Sequence, residues 1–370
     1  MIFPPVKKMK YSLIIPVYNR PDEVEELLQS LEAQTLRDFE VVVVEDGSQI
    51  PCEDVVRRHA GRLSVKYYRK ENGGPGPARN YGADRSAGEY LIVLDSDCVL
   101  PPGYLQAVED ELAAEPCEAF GGPDRAHESF TPMQKAISYG MTSFLTTGGI
   151  RGGRKKLDRF YPRSFNMGLR SDLWQRLGGF SPMRFGEDID LSIRIYESGA
   201  RCRLFPEAWV WHKRRTDLRK FFRQVFNSGM ARINLWKRHP GSLKLVHLLP
   251  ALFTLGVGVL FLVFLFGLIL LGIGLWAGFC SSTGCNMGLV VAYGGGVLMA
   301  LALLPIVLYG LVIFIDSSLR NRSLRVGLLS VPAAFVQLMG YGLGFIKAWW
   351  LRCVMGRQEE VQAFSRTFYK

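Results

Sequence analysis

Hydrophobic positions follow two regimes along the chain. Up to about residue 215 they come in short bursts separated by polar turns, and beyond residue 245 they run almost unbroken. In the first regime Tyr11–Tyr18 (YSLIIPVY) is a short apolar run ending at Pro16 and Asn19. Asp22 is then expected to cap a helix in which Val24, Leu27, Leu28 and Leu31 share one face. Phe39–Val44 is a β-branched run of the kind buried on both sheet faces, and it stops at the turn cluster Glu45-Asp46-Gly47-Ser48. Val65–Tyr68 predicts a third strand, Pro77–Ala87 a helix and Tyr90–Leu94 a fourth strand. Strand and helix in this alternation predict an α/β fold, with a mostly parallel sheet and helices on both faces.

The second regime predicts membrane helices. No Asp, Glu, Lys or Arg occurs between Leu245 and Ile315. A helix crosses a bilayer core with about 20 apolar residues, so this stretch holds two crossings joined near Trp276–Met287. Val326–Ile346 is a third uncharged run. The expected organisation is a soluble domain over 1–215, a basic amphipathic interfacial segment over 216–244, a membrane domain with two or three spans over 245–350, and a tail over 351–370. With the soluble domain inside the cell, Arg320, Arg322 and Arg325 also fall inside, as the positive-inside rule prefers. A third full crossing then puts Lys347, Arg352 and Arg357 outside, against that rule, which leaves a re-entrant or interfacial third segment open.

Charge sharpens this picture. The net charge is +11, and residues 151–245 alone carry 22 Lys or Arg against 8 Asp or Glu. Directly before a membrane span, such a patch suits anionic headgroups or a phosphorylated substrate. No zinc-finger spacing or basic-zipper heptad supports nucleic acid. Asp217–Arg238 mixes cations with Phe, Val, Ile, Leu and Trp in a pattern fit for a membrane surface. The glycines Gly148, Gly149, Gly152 and Gly153, with Arg151, Arg154, Lys155 and Lys156, read either as a basic loop or as a substrate lid. The seven cysteines form no CxxC pair, so zinc and redox motifs are absent; Cys280 and Cys285 would be able to pair only if their turn lies outside. The apolar run Leu13–Val17 is too short for a signal peptide, and the soluble domain is expected in the cytosol.

Candidate chemistry collects at the strand ends, where ligands of parallel sheets bind. Asn19 and Arg20 follow the first strand, Asp46 the second, and Asp95 and Asp97 the fourth. Two carboxylates one residue apart suit a hard divalent cation shared with a diphosphate. Asp46 suits hydrogen bonds from a base or ribose, and a plain Asp-Gly turn is its alternative. Asn72–Asn80 (NGGPGPARN) opens a helix with glycines and a cation, Arg79, although it is neither a Walker loop nor a dinucleotide fingerprint. Glu187 and Asp188 begin a helix, where acidic residues are ordinary dipole partners or, alternatively, a general base. His212 becomes a metal-ligand candidate only because a metal is already implied.

Taken together and in this order, IIPVYNR, VVEDGS, GGPGPARN, LDSD, FNMGLRSDLWQRLGGF and GEDIDL resemble the family-2 inverting glycosyltransferases of GT-A fold, from about Tyr11 to about Gly229. The resemblance implies a Rossmann-like sheet and transfer of a sugar from a nucleotide-sugar donor, with a UDP-sugar as the default. The acceptor would be a hydroxyl of a glycan or a lipid-linked molecule. It implies that Pro16, Tyr18, Asn19 and Asp46 hold the nucleoside, with Glu45 nearby, and that Arg79 and Asp95 contact the ribose-diphosphate region. Asp97 would ligate Mn²⁺ or Mg²⁺ with His212 added, Asp188 would be the catalytic base, and Glu187 would sit by the acceptor. The QxxRW motif of processive members is missing at Gln224–Ser228, which favours transfer of a single sugar. A role in polysaccharide or glycolipid assembly at a bacterial inner membrane is expected. A metal-dependent nucleotidyltransferase and an inactive membrane scaffold are the alternatives.

Overall fold

The computed structural model describes residues 9–125, 130–148, 160–213, 215–280 and 287–363, apart from the Cys280 side chain. The cations at 151, 154, 155 and 156 and residue Cys285 therefore lie outside the described residues, as does any pairing of Cys280 with Cys285.

The elements begin with β1 (Tyr11–Val17), α1 (Pro21–Glu32), β2 (Phe39–Asp46), α2 (Glu53–His59), β3 (Val65–Lys70), α3 (Pro75–Ala83) and β4 (Tyr90–Leu94). They continue with β5 (Cys98–Val99), α4 (Tyr104–Ala114), β6 (Ala119–Gly121), β7 (Asp124–Arg125), α5 (Pro132–Thr142) and α6 (Phe144–Thr147). Then come β8 (Asn166–Arg170), α7 (Ser171–Leu177), α8 (Glu187–Glu197), β9 (Cys202–Leu204), β10 (Val210–His212) and α9 (Leu218–Arg238). Three long helices close the chain: α10 (Leu249–Cys280), α11 (Met287–Asn321) and α12 (Leu324–Trp349). Two compact units result, one of residues 1–130, 152–214 and 235–240, the other of 131–151, 215–234 and 241–370.

The first unit is an α/β domain. Its main sheet has the order β3-β2-β1-β4-β8-β6-β9, parallel throughout except where β8 runs against β4 and β6. Burial explains why β2 reads as an unbroken apolar run. Val41 and Val43 pack with Val24, Leu27, Leu28 and Leu31 of α1, while Val42 and Val44 pack with Ala78 of α3 on the other face. Each such side chain, removed from water, contributes about 1.5–3 kcal/mol. The α3 face comes so close that a Cβ on Gly82 would lie 2.7 Å from a methyl of Ile14. A second, three-stranded sheet, β5-β10-β7, lies beyond the end of β4.

Two local expectations are corrected. Asp22 does not cap α1: Pro21 occupies the first turn, Arg20 is the residue before it, and Asp22 faces the helix dipole from inside that turn. Helix α3 starts at Pro75, two residues early, because Gly74 at φ +93° lets the chain turn directly into it, and it ends at Ala83 rather than Ala87.

In the second unit, α10 and α11 form a hairpin whose faces meet at glycines. A Cβ on Gly274 would lie 2.3 Å from the backbone of Ala292. Three helical stretches, Leu245–Phe279, Met287–Asn321 and Leu324–Val354, are long and apolar enough to cross a membrane. Helix α9 is amphipathic as expected, but part of its apolar face is covered: Phe221 and Val225 pack with Ile137 and Met141 of α5 and Val326 and Ala333 of α12.

Candidate active site

The site is built where β1, β2 and β4 end, in the first unit. After β1, Asn19 adopts φ +55°, a conformation Asn tolerates better than most residues. Its Oδ1 accepts N–H bonds from Gln49 at 2.7 Å and Ile50 at 3.0 Å, and its own N–H donates to Ser48 Oγ at 2.8 Å. Asn19 thus ties the loop after β1 to the loop after β2. Glu45 serves the same loop: fully buried, it accepts from Ser48 Oγ, from the Cys52 N–H at 2.7 Å and from the Tyr67 hydroxyl at 3.2 Å. Its carboxylate is thus engaged by the protein itself, beside the strand end.

Asp46, the last residue of β2, accepts the N–H groups of Gly73 at 2.9 Å and Gly74 at 2.8 Å and an ion pair from Lys70 at 2.7 Å. The glycine segment before α3 is therefore folded over this carboxylate. Pro16 and Tyr18 are half-buried beside the same strand ends.

Arg79 has protein partners the sequence does not reveal. It is 3% exposed, and its two terminal nitrogens donate to Asp95 Oδ1 at 2.7 Å and Glu187 Oε1 at 2.9 Å, with the guanidinium over the Phe180 ring. A fork held in this way is not a free cation for a diphosphate. Instead it ties the carboxylate after β4 to the acidic start of α8. Burial works against the charge on Arg79, and the two carboxylates more than offset it, so it stays protonated. Burial also pushes Glu187 up from 4.5 to about 7, and Asp188 adds to this while Arg79 opposes it.

Asp188 takes donors on both oxygens. Ile189 N–H meets Oδ1 at 2.8 Å and Arg163 Nε meets Oδ2 at 2.7 Å. Two residues on, fully buried Asp190 pairs with Arg194 at 2.9 Å and His239 at 2.8 Å, fixing the first turn of α8.

The second sheet brings His212 to Asp97. Strand β10 pairs antiparallel with β5, setting His212 opposite Cys98, and Lys213 N–H donates to the Asp97 carbonyl at 3.1 Å. His212 Nε2 then lies 3.2 Å from Asp97 Oδ1, and its ring stacks on Phe165 at 4.9 Å. Asp97, Cys98 and His212 together present ligand atoms within 4.8 Å of one another. Two donors on adjacent corners of an octahedral ion with bonds of about 2.1 Å lie about 3 Å apart, so the carboxylate and imidazole fit Mn²⁺ or Mg²⁺. Burial pushes the Cys98 thiol well up, and it donates to Phe165 O at 3.5 Å, so it is not suited to a hard ion.

With this geometry in view, the comparisons with known proteins can be read. The sequence matches glycosyl transferase family 2 over residues 12–177. Those residues are a glycosyltransferase family 2 domain. The stretch covers the candidate site residues predicted from the sequence except Glu187, Asp188 and His212, which follow it. The chain is 32% identical over 236 residues to the pre-mycofactocin glycosyltransferase of Mycobacterium tuberculosis, covering 62% of this chain and 48% of that one. It is 31% identical over 231 residues to the validoxylamine A glucosyltransferase of Streptomyces hygroscopicus, covering 54% of each. The chain thus spans about half the length of these two curated relatives. A mannosyltransferase of Pyrobaculum calidifontis, solved in complex with GDP-Man and Mn²⁺, shares the fold at 17% identity and a TM-score of 0.54, covering 94% of this chain and 88% of that one.

Arg20, expected at the end of β1, donates to Asp97 Oδ2 at 2.9 Å. Two residues of the glycosyltransferase domain's neighbourhood escaped sequence reasoning as site residues: Arg163 holds Asp188, and Lys70 holds Asp46. Arg163 and Lys70 follow no spacing that would mark them.

Proposed function

We propose that this chain is a membrane-anchored inverting glycosyltransferase that moves one sugar from a nucleotide-sugar donor to a hydroxyl of a glycan or lipid-linked acceptor. The observation that carries the reading is the hydrogen-bonded link Asp95–Arg79–Glu187. It joins Asp95, one of the strand-end carboxylates suited to a donor diphosphate, to Glu187, whose chain neighbour Asp188 is suited to an acceptor proton. A nucleotidyltransferase has no need of such a base across from its metal carboxylates.

The chemical problem is a sugar–phosphate bond whose leaving group gathers negative charge while the anomeric carbon turns cationic. Asp97 and His212 would hold Mn²⁺ or Mg²⁺, which when bound neutralises charge on the departing diphosphate. Asp46 and the loop fastened by Asn19 offer a polar edge to a base or ribose, with Pro16 and Tyr18 alongside. Asp188, oriented by Arg163 and the first turn of α8, accepts the acceptor's hydroxyl proton as the oxygen attacks from the face opposite the leaving group, giving inversion. General-base assistance of this kind contributes about 10²–10⁴-fold. Arg79 acts by position: it keeps Asp95 and Glu187 at a fixed separation.

The apolar helices of the second unit would anchor the enzyme, with the family 2 domain on the cytoplasmic face of a bacterial inner membrane. A UDP-sugar is the default donor, and polysaccharide or glycolipid assembly the default setting. A panel of nucleotide sugars, screened by thermal shift with Mn²⁺, tests donor binding. One donor class should raise the midpoint by mass action, and that shift should vanish in Asp97→Ala. A panel in which no donor shifts the midpoint counts against the reading.

A further inference from the structure

The third apolar helix has both of its ends on one side of the hairpin formed by α10 and α11. Its start is fixed by α11. Only Arg322 and Ser323 separate the two helices, Ser317 and Ser330 share a hydrogen bond of 2.7 Å, and a Cβ on Gly327 would meet Phe314 O at 2.8 Å. That end of α11 is also the end at which α10 begins, since Phe253 and Tyr309 lie 5.5 Å apart, while Gly278 and Gly288 meet at the far end.

The other end of α12 returns to the same place. Arg352, just past α12, donates to Asn234 Oδ1 at 2.9 Å, and Asn234 donates to Val361 O at 3.0 Å. Asn234 belongs to α9, which precedes α10 and carries Arg219, Lys220, Arg223 and Arg232. Each charge at a bilayer centre costs about 2.5–3.5 kcal/mol or more, so α9 stays out of the hydrocarbon. The second half of α12 lies along α9: a Cβ on Gly344 would meet Phe226 O at 2.0 Å, and one on Gly340 would meet Val225 at 2.6 Å. Gly342, between them, abuts Pro250 at the start of α10.

A helix of 26 residues is about 39 Å long, longer than a hydrocarbon core of about 30 Å. Standing upright, it would carry Arg352 to the far face. We propose that α12 does not cross: it lies along the lipid headgroup–acyl boundary, across the base of a two-helix anchor. The inference rests on the membrane anchoring proposed above. Leu324, Leu328, Leu343 and Trp349 are its exposed large apolar residues, available to lipid, while Lys347 at its end and Trp350 and Arg352 just beyond it are residues typical of an interface. Its burial agrees: 44% of its most apolar stretch is buried, against 6% and 11% for the two hairpin helices. Lys347, Arg352 and Arg357 then share a side with Arg320, Arg322 and Arg325, and the positive-inside conflict of the sequence disappears.

Cysteine-accessibility labelling of the full chain in sealed membrane vesicles tests this. In a background of Cys202→Ser, Cys280→Ser, Cys285→Ser and Cys353→Ser, which keeps only the buried Cys52, Cys98 and Cys117, one of Thr283→Cys, Arg322→Cys or Gln358→Cys is added and treated with a membrane-impermeant maleimide before and after lysis, with the background protein as the blank. The expected result is that 322 and 358 label alike and 283 labels in the opposite way. Labelling of 358 together with 283 overturns the proposal but leaves the anchor intact. Identical labelling at all three sites overturns the anchor as well. Spin labels at Leu328→Cys, Met339→Cys and Leu343→Cys give a second reading. A helix in the boundary places all three at one shallow depth, whereas a crossing helix puts 339 clearly deepest.

Discussion

Replacing Arg79 with Met separates its two candidate roles. The substitution keeps much of the side chain's volume and removes the fork between Asp95 and Glu187. Glu187 is 7% exposed and already pushed up to about 7, while the Asp95 side chain is 28% exposed and has water as a substitute partner. The loss therefore falls on Glu187. Well above pH 7, where Glu187 is ionised, removing one partner of a buried ion pair costs about 3–5 kcal/mol; nearer neutrality Glu187, no longer opposed by Arg79, takes up a proton and the loss is smaller, so the comparison is made at alkaline pH. Glu187→Gln in the same protein removes that stranded charge, so the double variant should recover about 1–3 kcal/mol relative to Arg79→Met alone. Arg79→Lys keeps the charge without the fork and should fall between Arg79→Met and the parent. The assay is the thermal midpoint of the family 2 domain's transition in the detergent-solubilised full chain, with kcat/KM for the donor measured alongside. If Arg79 instead met the diphosphate directly, Arg79→Met would raise the donor KM with little loss of stability, and Glu187→Gln would rescue nothing. Either of those results refutes the reasoning.

Other outcomes follow from the same geometry. Asp188→Asn should lower kcat by about 10²–10⁴-fold with donor KM nearly unchanged, as steady-state kinetics will show. His212→Ala should raise the Mn²⁺ concentration for half-maximal turnover by about tenfold or more, the effect of losing roughly 1.4 kcal/mol of ion binding, read from a metal titration of activity. The protonated Glu187 favours the folded state below pH 4.5, and this contribution is lost as pH rises through about 7; the shift amounts to roughly 3 kcal/mol. Glu187→Gln should accordingly flatten the stability profile across that window in denaturant titrations. Gly82→Ala should destabilise by about 1–3 kcal/mol through overpacking against Ile14, visible as a lower thermal midpoint.

How far the sequence was legible depended on the length of each signal. The strands β1, β2 and β4 emerged from five to eight apolar or β-branched residues, and β4 was read to the residue. Strands β5 and β7 have two residues each, too few to show any period, so the pairing that makes the second sheet was invisible. The adjacency of His212 and Asp97 depends on that sheet and was reached only through family resemblance. Strand β8 hid inside FNMGLR, where glycine and asparagine dilute the strand signal. Arg79 was identified as important, but its pairing with Glu187 was not foreseen. A cation near a glycine segment suggests phosphate, and nothing in the residue string reveals that α8 folds back to supply Glu187. The membrane helices were plain from charge-free length alone. The course of α12 was not, because it is set by Asn234 and by glycine contacts far away in sequence.

The claim at the centre is that Asp97 and Asp188 serve one sugar transfer from two sides. The most direct measurement incubates the purified full chain with Mn²⁺, the donor selected by thermal shift and an alcohol or lipid-linked acceptor, and follows both products. The account predicts nucleoside diphosphate released one for one with a glycoside of inverted anomeric configuration, lost in Asp97→Ala and in Asp188→Asn. Pyrophosphate as the released product, a retained anomeric configuration, or full turnover in either variant would contradict it.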